Sequence, residues 1–270
     1  MGARIARPSD FEEVMRILEK HAIEACPIAA VLYSGGPDAL RSGRVWIDRD
    51  AICYSGANLL PVNADEKAAI GFARLAIAEG RRCSSIVGRR PATETLWAEL
   101  QWAWGPARAI RDRQIVMVDG SKSDVTADPG VQRATRADIE PFFAAAVEMY
   151  IEEIGASPTA HDGGASYRRR ALELIDDGVA FIRTDGDQVV FKAELGALSP
   201  QCAQLQGVWV HPDLRGQGFG TAGTAAVLQL ARERGVDQIS LAVNDFNSAA
   251  RYAYERCGFS EIAEQMVVLF

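Results

Sequence analysis

Val208–Thr221 reads Val-Trp-Val-His-Pro-Asp-Leu-Arg-Gly-Gln-Gly-Phe-Gly-Thr, and the rest of the chain is interpreted outward from it. An apolar β-branched run that stops at a proline predicts a strand with a sharp exit. The small residues from Thr221 onward predict the start of a helix. Glycines between a strand and a helix let the backbone turn tightly, and the unpaired N–H groups of the helix attract anions. The segment therefore predicts a loop that binds a phosphate or diphosphate.

The residues of this loop and the spacing of its glycines distinguish between three known kinds of phosphate-binding loop. A Walker loop requires Gly-Lys-Ser/Thr, and no lysine is present here. A dinucleotide fingerprint requires Gly-x-Gly-x-x-Gly, whereas Gly216, Gly218 and Gly220 are evenly spaced behind Arg215. Residues 215–220, called the glycine loop below, instead resemble the coenzyme A loop of the GNAT N-acetyltransferase superfamily.

A second segment carries the same resemblance. Ile239–Val243 is an apolar run typical of a buried strand. It is followed by Asn-x-x-Ala-x-x-x-Tyr-x-x-x-Gly-Phe over Asn247–Phe259, which is similar to the second GNAT motif. Asn247 suits the N-cap of a helix, and Gly258 suits its C-terminal stop. One helix and one strand separate the two motifs, as in that superfamily.

Domain organisation is predicted from composition and element order. Residues 121–130 are polar and rich in turn formers, which indicates a linker. Residues 131–270 follow the order β-α-α-β-β-β-α-β-α-β, and the resemblance implies a GNAT domain there. Residues 1–120 repeat this order more weakly. The chain resembles a bacterial tandem-GNAT protein, so we expect an α/β fold with a mixed sheet (α+β in character) and two GNAT-like domains, the N-terminal one degenerate.

The N-terminal half (residues 1–120) lacks a second glycine loop. Asn63–Lys67 stands in its place without glycines, and its two carboxylates would repel a diphosphate. We therefore expect one coenzyme A site per chain. We also predict a helix over Asp10–Ala25 and strands over Gln114–Val118 and Gln265–Phe270. The tryptophans of the last helix in this half are expected to pack against the other domain: Trp97, Trp102 and Trp104.

Composition narrows the class of partner. The net charge of −7 lies entirely in residues 129–270, because residues 1–128 contain equal numbers of basic and acidic side chains. An acidic C-terminal half argues against nucleic acid as a substrate. No apolar run is long enough to span a membrane and the N-terminus is no signal peptide, so a cytoplasmic protein is expected. The five cysteines are scattered, and no metal site is predicted. A homodimer is left open.

The resemblance implies acetyl-CoA as co-substrate and assigns residues to it. Strand backbone near Trp209 would meet the pantetheine and the thioester carbonyl, and Asn247 would face the pantetheine. The diphosphate would lie on the glycine loop and the start of the following helix. The full set of expected cofactor-binding residues is Trp209, Val210, Arg215, Gly216, Gln217, Gly218, Phe219, Gly220, Thr221 and Asn247.

Acetyl transfer to an amine also needs a general acid and a general base. Tyr254 matches the tyrosine that the superfamily places near the sulfur, whereas Tyr252 lies on another helix face and is a poorer candidate. The base is open. Gln204 occupies the position at which some members carry a glutamate, so we consider Glu194, Glu152 and Glu153, as well as a water relay.

Two classes of function follow. The first is an N-acetyltransferase that forms a ternary complex and acetylates a primary amine, with Glu194 as the catalytic carboxylate and Glu152 and Glu153 as substrate anchors. The acidic half favours a cationic acceptor, because carboxylates in a cleft concentrate cations. The second is a non-catalytic acyl-CoA-binding regulatory or scaffold protein, which the missing glutamate at position 204 keeps open.

Overall fold

The computed structural model describes residues 2–120, 123–160 and 162–270, so two residues of the predicted 121–130 linker lie outside the described part. Its strands are β1 (Arg4–Ile5), β2 (Val45–Asp48), β3 (Ala51–Ser55), β4 (Asn58–Val62), β5 (Ser85–Arg89), β6 (Ala109–Asp119), β7 (Gln132–Arg133), β8 (Ala180–Asp185), β9 (Gln188–Leu198), β10 (Ala203–Val210), β11 (Ile239–Asn244) and β12 (Phe259–Leu269). Its helices are α1 (Phe11–Lys20), α2 (Ala22–Gly35), α3 (Glu66–Glu79), α4 (Arg90–Trp104), α5 (Ile139–Ile154), α6 (Ala165–Asp176), α7 (Phe219–Arg232) and α8 (Ser248–Arg256).

The strands form one mixed sheet with an internal repeat. Its order is β1-β2-β3-β4-β5-β12-β6-β11-β10-β9-β8-β7. The order therefore runs inward from both edges, β1 to β5 on one side and β7 to β11 on the other. Each half holds one parallel pair, β4 with β5 and β10 with β11. The predicted mixed α/β fold with two similar halves is confirmed.

The two halves exchange their last strands at the centre of the sheet. β6 comes from the N-terminal half but pairs with β11, and β12 comes from the C-terminal half but pairs with β5. These strands also pair with each other, from Phe259 opposite Asp119 to Leu269 opposite Ala109. Both are much longer than the sequence indicates, because exposed polar residues and two register shifts interrupt their apolar pattern.

The predicted helix over Asp10–Ala25 is wrong. The structure breaks it at His21, whose N–H bonds to the carbonyls of Ile17 and Leu18, and a second helix α2 follows. α2 packs on β9 and β10 of the other half, where Cys26 Sγ lies 3.1 Å from the carbonyl oxygen of Cys202. Such a helix is apolar on several sides, so it shows no clear amphipathic period.

The C-terminal residue also ties the halves together. Trp97 and Trp104 pack on Phe270, with ring centroids 5.8 and 5.6 Å apart respectively. The predicted packing of these two tryptophans against the other half is therefore confirmed. The prediction is wrong for Trp102, whose side chain faces solvent and is 88% exposed.

Candidate active site

The glycine loop leads from β10 into the N-terminus of α7. Gly216 and Gly218 adopt φ values of +74° and +91°, which residues with a side chain rarely tolerate. Gly218 is the N-cap, so no side chain covers the first turn of the helix. The first N–H groups of α7, from Phe219 onward, have no intrahelical acceptor and carry the positive end of the helix dipole. This end of the loop is suited to a diphosphate.

β10 and β11 separate just before the loop. They pair only at Ala203 and Gln204, opposite Ile239 and Ser240, and then diverge. On its other side β10 has a register shift against β9 between Gln206 and Trp209, and Gly207 within it has a φ of +58°. Backbone groups of β10 that face β11 beyond Gln204 therefore have no partner on β11, and those not used elsewhere can bond a bound molecule.

A cavity of about 1170 Å³ occupies the gap between these strands and continues toward the N-terminal half. Ten of the predicted site residues line it: Trp209, Val210, Arg215, Gly216, Gly218, Gly220, Thr221, Asn247, Glu194 and Tyr254. Glu152 and Glu153 line it as well. Gln217 and Phe219 do not, because the Gln217 amide bonds to the carbonyl oxygen of Asp213 and the Phe219 ring lies under the Arg183 guanidinium. Only their backbone N–H groups can serve the site.

Arg215 was predicted to bind acetyl-CoA and Glu152 to bind the acceptor, but in the structure the two side chains form an ion pair. Arg215 Nη2 lies 2.8 and 3.0 Å from the two carboxylate oxygens of Glu152, and its Nε donates to the carbonyl oxygen of Val210 at 3.1 Å. The pair links the glycine loop to the end of α5. Both side chains remain about half exposed, so the link is open to competition from a bound anion.

Glu194 sits against the β10 bulge. A Cβ placed on Gly207 would lie 2.8 Å from the Glu194 carboxylate, and the positive φ at this position also favours glycine. Lys192 Nζ donates to Glu194 Oε2 at 2.8 Å, and this lysine is completely buried above the Phe142 ring. The sequence interpretation missed Lys192. Its signal was a pair of charged residues two positions apart in the otherwise largely apolar β9.

Glu153 lies beside this pair at the cavity wall. Surrounding protein atoms raise the pKa of its carboxyl, and the Glu194 and Glu152 carboxylates add to the rise, while Arg111 and Lys192 oppose it. Arg111 also donates to the backbone carbonyl of Glu153 at 2.8 Å. The carboxyl stays accessible from the cavity and has a stronger tendency to hold a proton than an ordinary glutamate.

Tyr254 lies in α8 on the other side of the gap, and Asn247 is the N-cap of that helix. Burial raises the pKa of the Tyr254 phenol, and the Glu153 carboxylate adds to the rise, so the phenol stays protonated at neutral pH. Its ring packs edge-on against Phe259. Asn247 caps α8 by accepting the Ala250 N–H at 3.1 Å, which leaves its side-chain NH₂ directed to other partners. Tyr252 is 61% exposed.

The N-terminal half also contributes to the cavity wall, which the sequence interpretation missed. Glu24 of α2 and Arg89 of β5 line it, 3.7 Å apart. None of the described residues 155–160 and 162–164 lines it. The sequence does not indicate that Glu24 and Arg89 line the cavity, because this placement depends on the packing of α2 against the other half.

Two further observations concern the described part of the chain. No group of three or more His, Cys, Asp or Glu side chains there is placed to hold a metal ion. No helix in residues 2–120, 123–160 or 162–270 is long and apolar enough to cross a membrane.

Comparison with known proteins gives two family matches. Residues 143–259 match the acetyltransferase (GNAT) family, and residues 43–142 match a domain of unknown function, DUF4081. The whole chain superposes on an acetyltransferase of the GNAT family from Colwellia psychrerythraea with a TM-score of 0.58 and 14% identity, covering 100% of both chains. At that identity the likeness shows the two-domain fold alone.

Curated relatives match part of the chain. A mycothiol acetyltransferase from Beutenbergia cavernae is 34% identical over 84 residues, which are 30% of this chain and 28% of the relative. A streptothricin acetyltransferase from Streptomyces lavendulae is 32% identical over 101 residues, 37% of this chain and 53% of the relative. The chain thus spans about a quarter to a half of these relatives. The family match, together with the glycine loop and the separated strands, shows that residues 143–259 form a GNAT acetyltransferase domain.

Proposed function

We propose that this protein transfers an acetyl group from acetyl-CoA to a primary amine in a ternary complex. One observation carries the proposal: an uncapped helix N-terminus and the unpaired edge of β10 open into the same cavity as Tyr254 and Glu194. This combination supplies an anion site, backbone donors and proton-transfer groups. The named relatives, which are acetyltransferases, support the reaction class.

The residues around the cavity fit acetyl-CoA. When bound, acetyl-CoA supplies an activated thioester. The N–H groups of residues 217–221 would bind its diphosphate, with Arg215 adding positive charge. Backbone groups of Trp209 and Val210, together with the Asn247 side chain, would orient the pantetheine. Donors fixed before binding stabilise charge that develops at a carbonyl without reorganisation.

Tyr254 is the proposed general acid. Its phenol is protonated at neutral pH and lies at the cavity wall. Proton donation from Tyr254 Oη would neutralise the departing sulfur. Such a contribution is typically worth about 10²–10⁴-fold in rate.

Glu194 is the proposed proton acceptor for the incoming ammonium. Its carboxylate lies at the bulge of β10, next to the backbone that would hold the thioester, and Lys192 fixes its orientation. Glu153, whose pKa is raised, is the competing candidate. Glu152 is a poorer candidate, since Arg215 already holds its carboxylate.

Thiol release from acetyl-CoA across a panel of amines tests the proposal. Amine-dependent release that falls in Glu194→Gln and persists in Glu153→Gln supports Glu194 as the base, and the reverse result assigns the role to Glu153. The rival function is an acyl-CoA-binding regulatory protein, favoured by Gln204, whose side chain accepts a hydrogen bond from Gln206 instead of serving as a base. Tight acetyl-CoA binding without amine-dependent thiol release would support that rival.

A further inference from the structure

A row of polar side chains crosses the centre of the sheet on the cavity wall. Arg89 on β5 lies opposite Gln265 on β12, Gln265 opposite Gln114 on β6, and Gln114 opposite Asn244 on β11. Side chains directly opposite one another on neighbouring strands share a face of the sheet. All four line the cavity. We call these residues the polar row.

Hydrogen bonds fix the amides of the polar row. Gln265 Nε2 donates to Gln114 Oε1 at 2.8 Å, and Gln114 Nε2 donates to Asn244 Oδ1 at 2.9 Å. A side-chain amide has two N–H donors and an oxygen with two lone pairs. These two bonds use only part of that capacity. The row therefore offers a fixed series of both donors and acceptors to a molecule in the cavity.

The far end of the row carries a carboxylate from the other half. Glu24 of α2 lies 3.7 Å from Arg89, and its side chain is only 14% exposed. Within the described residues, Glu24 Oε1 is buried and has no hydrogen-bond partner. Burial raises the pKa of this carboxyl. Glu24 itself lines the cavity, so a donor from a bound molecule that reaches its carboxyl group would stabilise this end of the cavity.

From these observations we infer that the polar row and Glu24 bind the distal part of the acceptor, and that the acceptor is a polyhydroxylated amine longer than one sugar ring. The inference rests on the proposed function. The row covers three strand spacings, roughly 14 Å in all, which a single ring or a short monoamine cannot bridge. Hydroxyl groups both donate and accept, as the amides do, whereas the methylene stem of a linear polyamine would leave the amides unpaired.

Calorimetry on the full chain loaded with coenzyme A tests the inference without turnover. The probes are glucosamine, the β-1,4-linked disaccharide of glucosamine, and spermidine as a long amine without hydroxyls. We expect the disaccharide to bind at least about tenfold more tightly than glucosamine, since it gains a hydrogen bond to a charged group, and more tightly than spermidine. Equal affinities for the two sugars, or tighter binding of spermidine, would overturn the inference.

Glu24→Gln locates the effect at the far end of the row. It should remove the advantage of the disaccharide and leave the affinity for glucosamine unchanged, because the monosaccharide does not reach α2. Glu12→Gln on the exposed surface of α1 is the matched control and should change neither affinity. An advantage that survives Glu24→Gln, or that Glu12→Gln removes equally, contradicts the assignment. A separate titration of each variant with coenzyme A distinguishes failure of this inference from failure of the cofactor site.

Discussion

α7 and α3 begin at equivalent places in the two halves, each after the strand that its half pairs in parallel. At the start of α7 the N-cap is Gly218, and the first N–H groups are free for a ligand. At the start of α3 the N-cap is Asp65, whose carboxylate accepts the Ala68 N–H at 2.8 Å and pairs with Arg49 at 2.9 Å. The same architecture thus binds its own carboxylate in one half and leaves an anion site in the other.

The gaps between the parallel strands beside these two helices also differ. Both parallel pairs are short, since β4 meets β5 only at Asn58 and Leu59 just as β10 meets β11 only at Ala203 and Gln204. Beyond that point Pro61 packs on Gly88 across the gap between β4 and β5, and an added Cβ on Gly88 would lie 2.9 Å from the proline ring. We therefore expect the residues at the strand ends and at the helix starts to decide which half binds coenzyme A. The two halves thus keep one architecture while their helix starts and strand ends differ in a few residues.

The largest effect is expected for Gly218→Glu. The new side chain meets a backbone φ of +91° and places a carboxylate where the diphosphate binds, so acetyl-CoA binding should fall below detection. Calorimetry measures the change. Gly80→Glu at the end of α3, with a φ of +79° and open space around it, imposes similar backbone strain and should leave binding intact. Retained binding in Gly218→Glu would refute the position of the site.

Tyr254→Phe should lower kcat by about 10²–10⁴-fold while the affinity for acetyl-CoA stays within a small factor, because the phenol acts on the leaving group. Steady-state kinetics and calorimetry separate the two quantities. Tyr252→Phe on the exposed face of the same helix is the control and should retain full activity. Unchanged turnover in Tyr254→Phe, with acetyl transfer shown to be rate-limiting, would remove Tyr254 from the mechanism.

Asp65→Ala tests the other side of the comparison. Loss of the cap should lower the midpoint of thermal unfolding by a few degrees and create no second coenzyme A site. The Ala68 N–H bond, then Arg49, lower the pKa of Asp65, so its stabilisation is present above the ordinary value of 3.8 and is lost as pH falls through the lowered pKa. The difference in midpoint between wild type and variant should therefore shrink in acid. A difference that grows in acid would contradict this account of the cap.

Glu152→Gln is expected to have the smallest effect. The Arg215–Glu152 pair is half exposed, and such pairs contribute at most about 1 kcal/mol, so the Kd for acetyl-CoA should change less than about fivefold. A fluorescence or calorimetric titration is sufficient. A change of much more than that in either direction would mean that the pair controls the glycine loop rather than merely linking it to α5.

The glycine loop and the Asn247–Phe259 motif were predictable because both are local. Each needs only a strand, a turn and a helix start in sequence, and Gly216, Gly218 and Asn247 occupy the backbone positions that such turns require. The structure adds one qualification: Gln217 and Phe219 turn their side chains away, since consecutive residues of a loop cannot all face the ligand.

The rest of the site depends on contacts between distant segments. α2 reaches the C-terminal half through packing at Cys26, and the polar row requires the register of four strands that come from both halves. Strand exchange between β6 and β12 has no sequence signature, because either strand would satisfy the apolar pattern in its own half. Lys192, by contrast, could have been found from the sequence. A charged residue in an apolar strand requires a partner, and Glu194 lies two residues away on the same face of the strand.

The stoichiometry of acetyl-CoA binding tests the central claim most directly. Titration of the full chain in a calorimeter should give one site per chain, and Gly218→Glu should abolish it while Asp65→Ala leaves it at one. Two equivalent sites per chain, or a single site that survives Gly218→Glu and disappears in Asp65→Ala, would contradict the assignment of the cofactor to the C-terminal half.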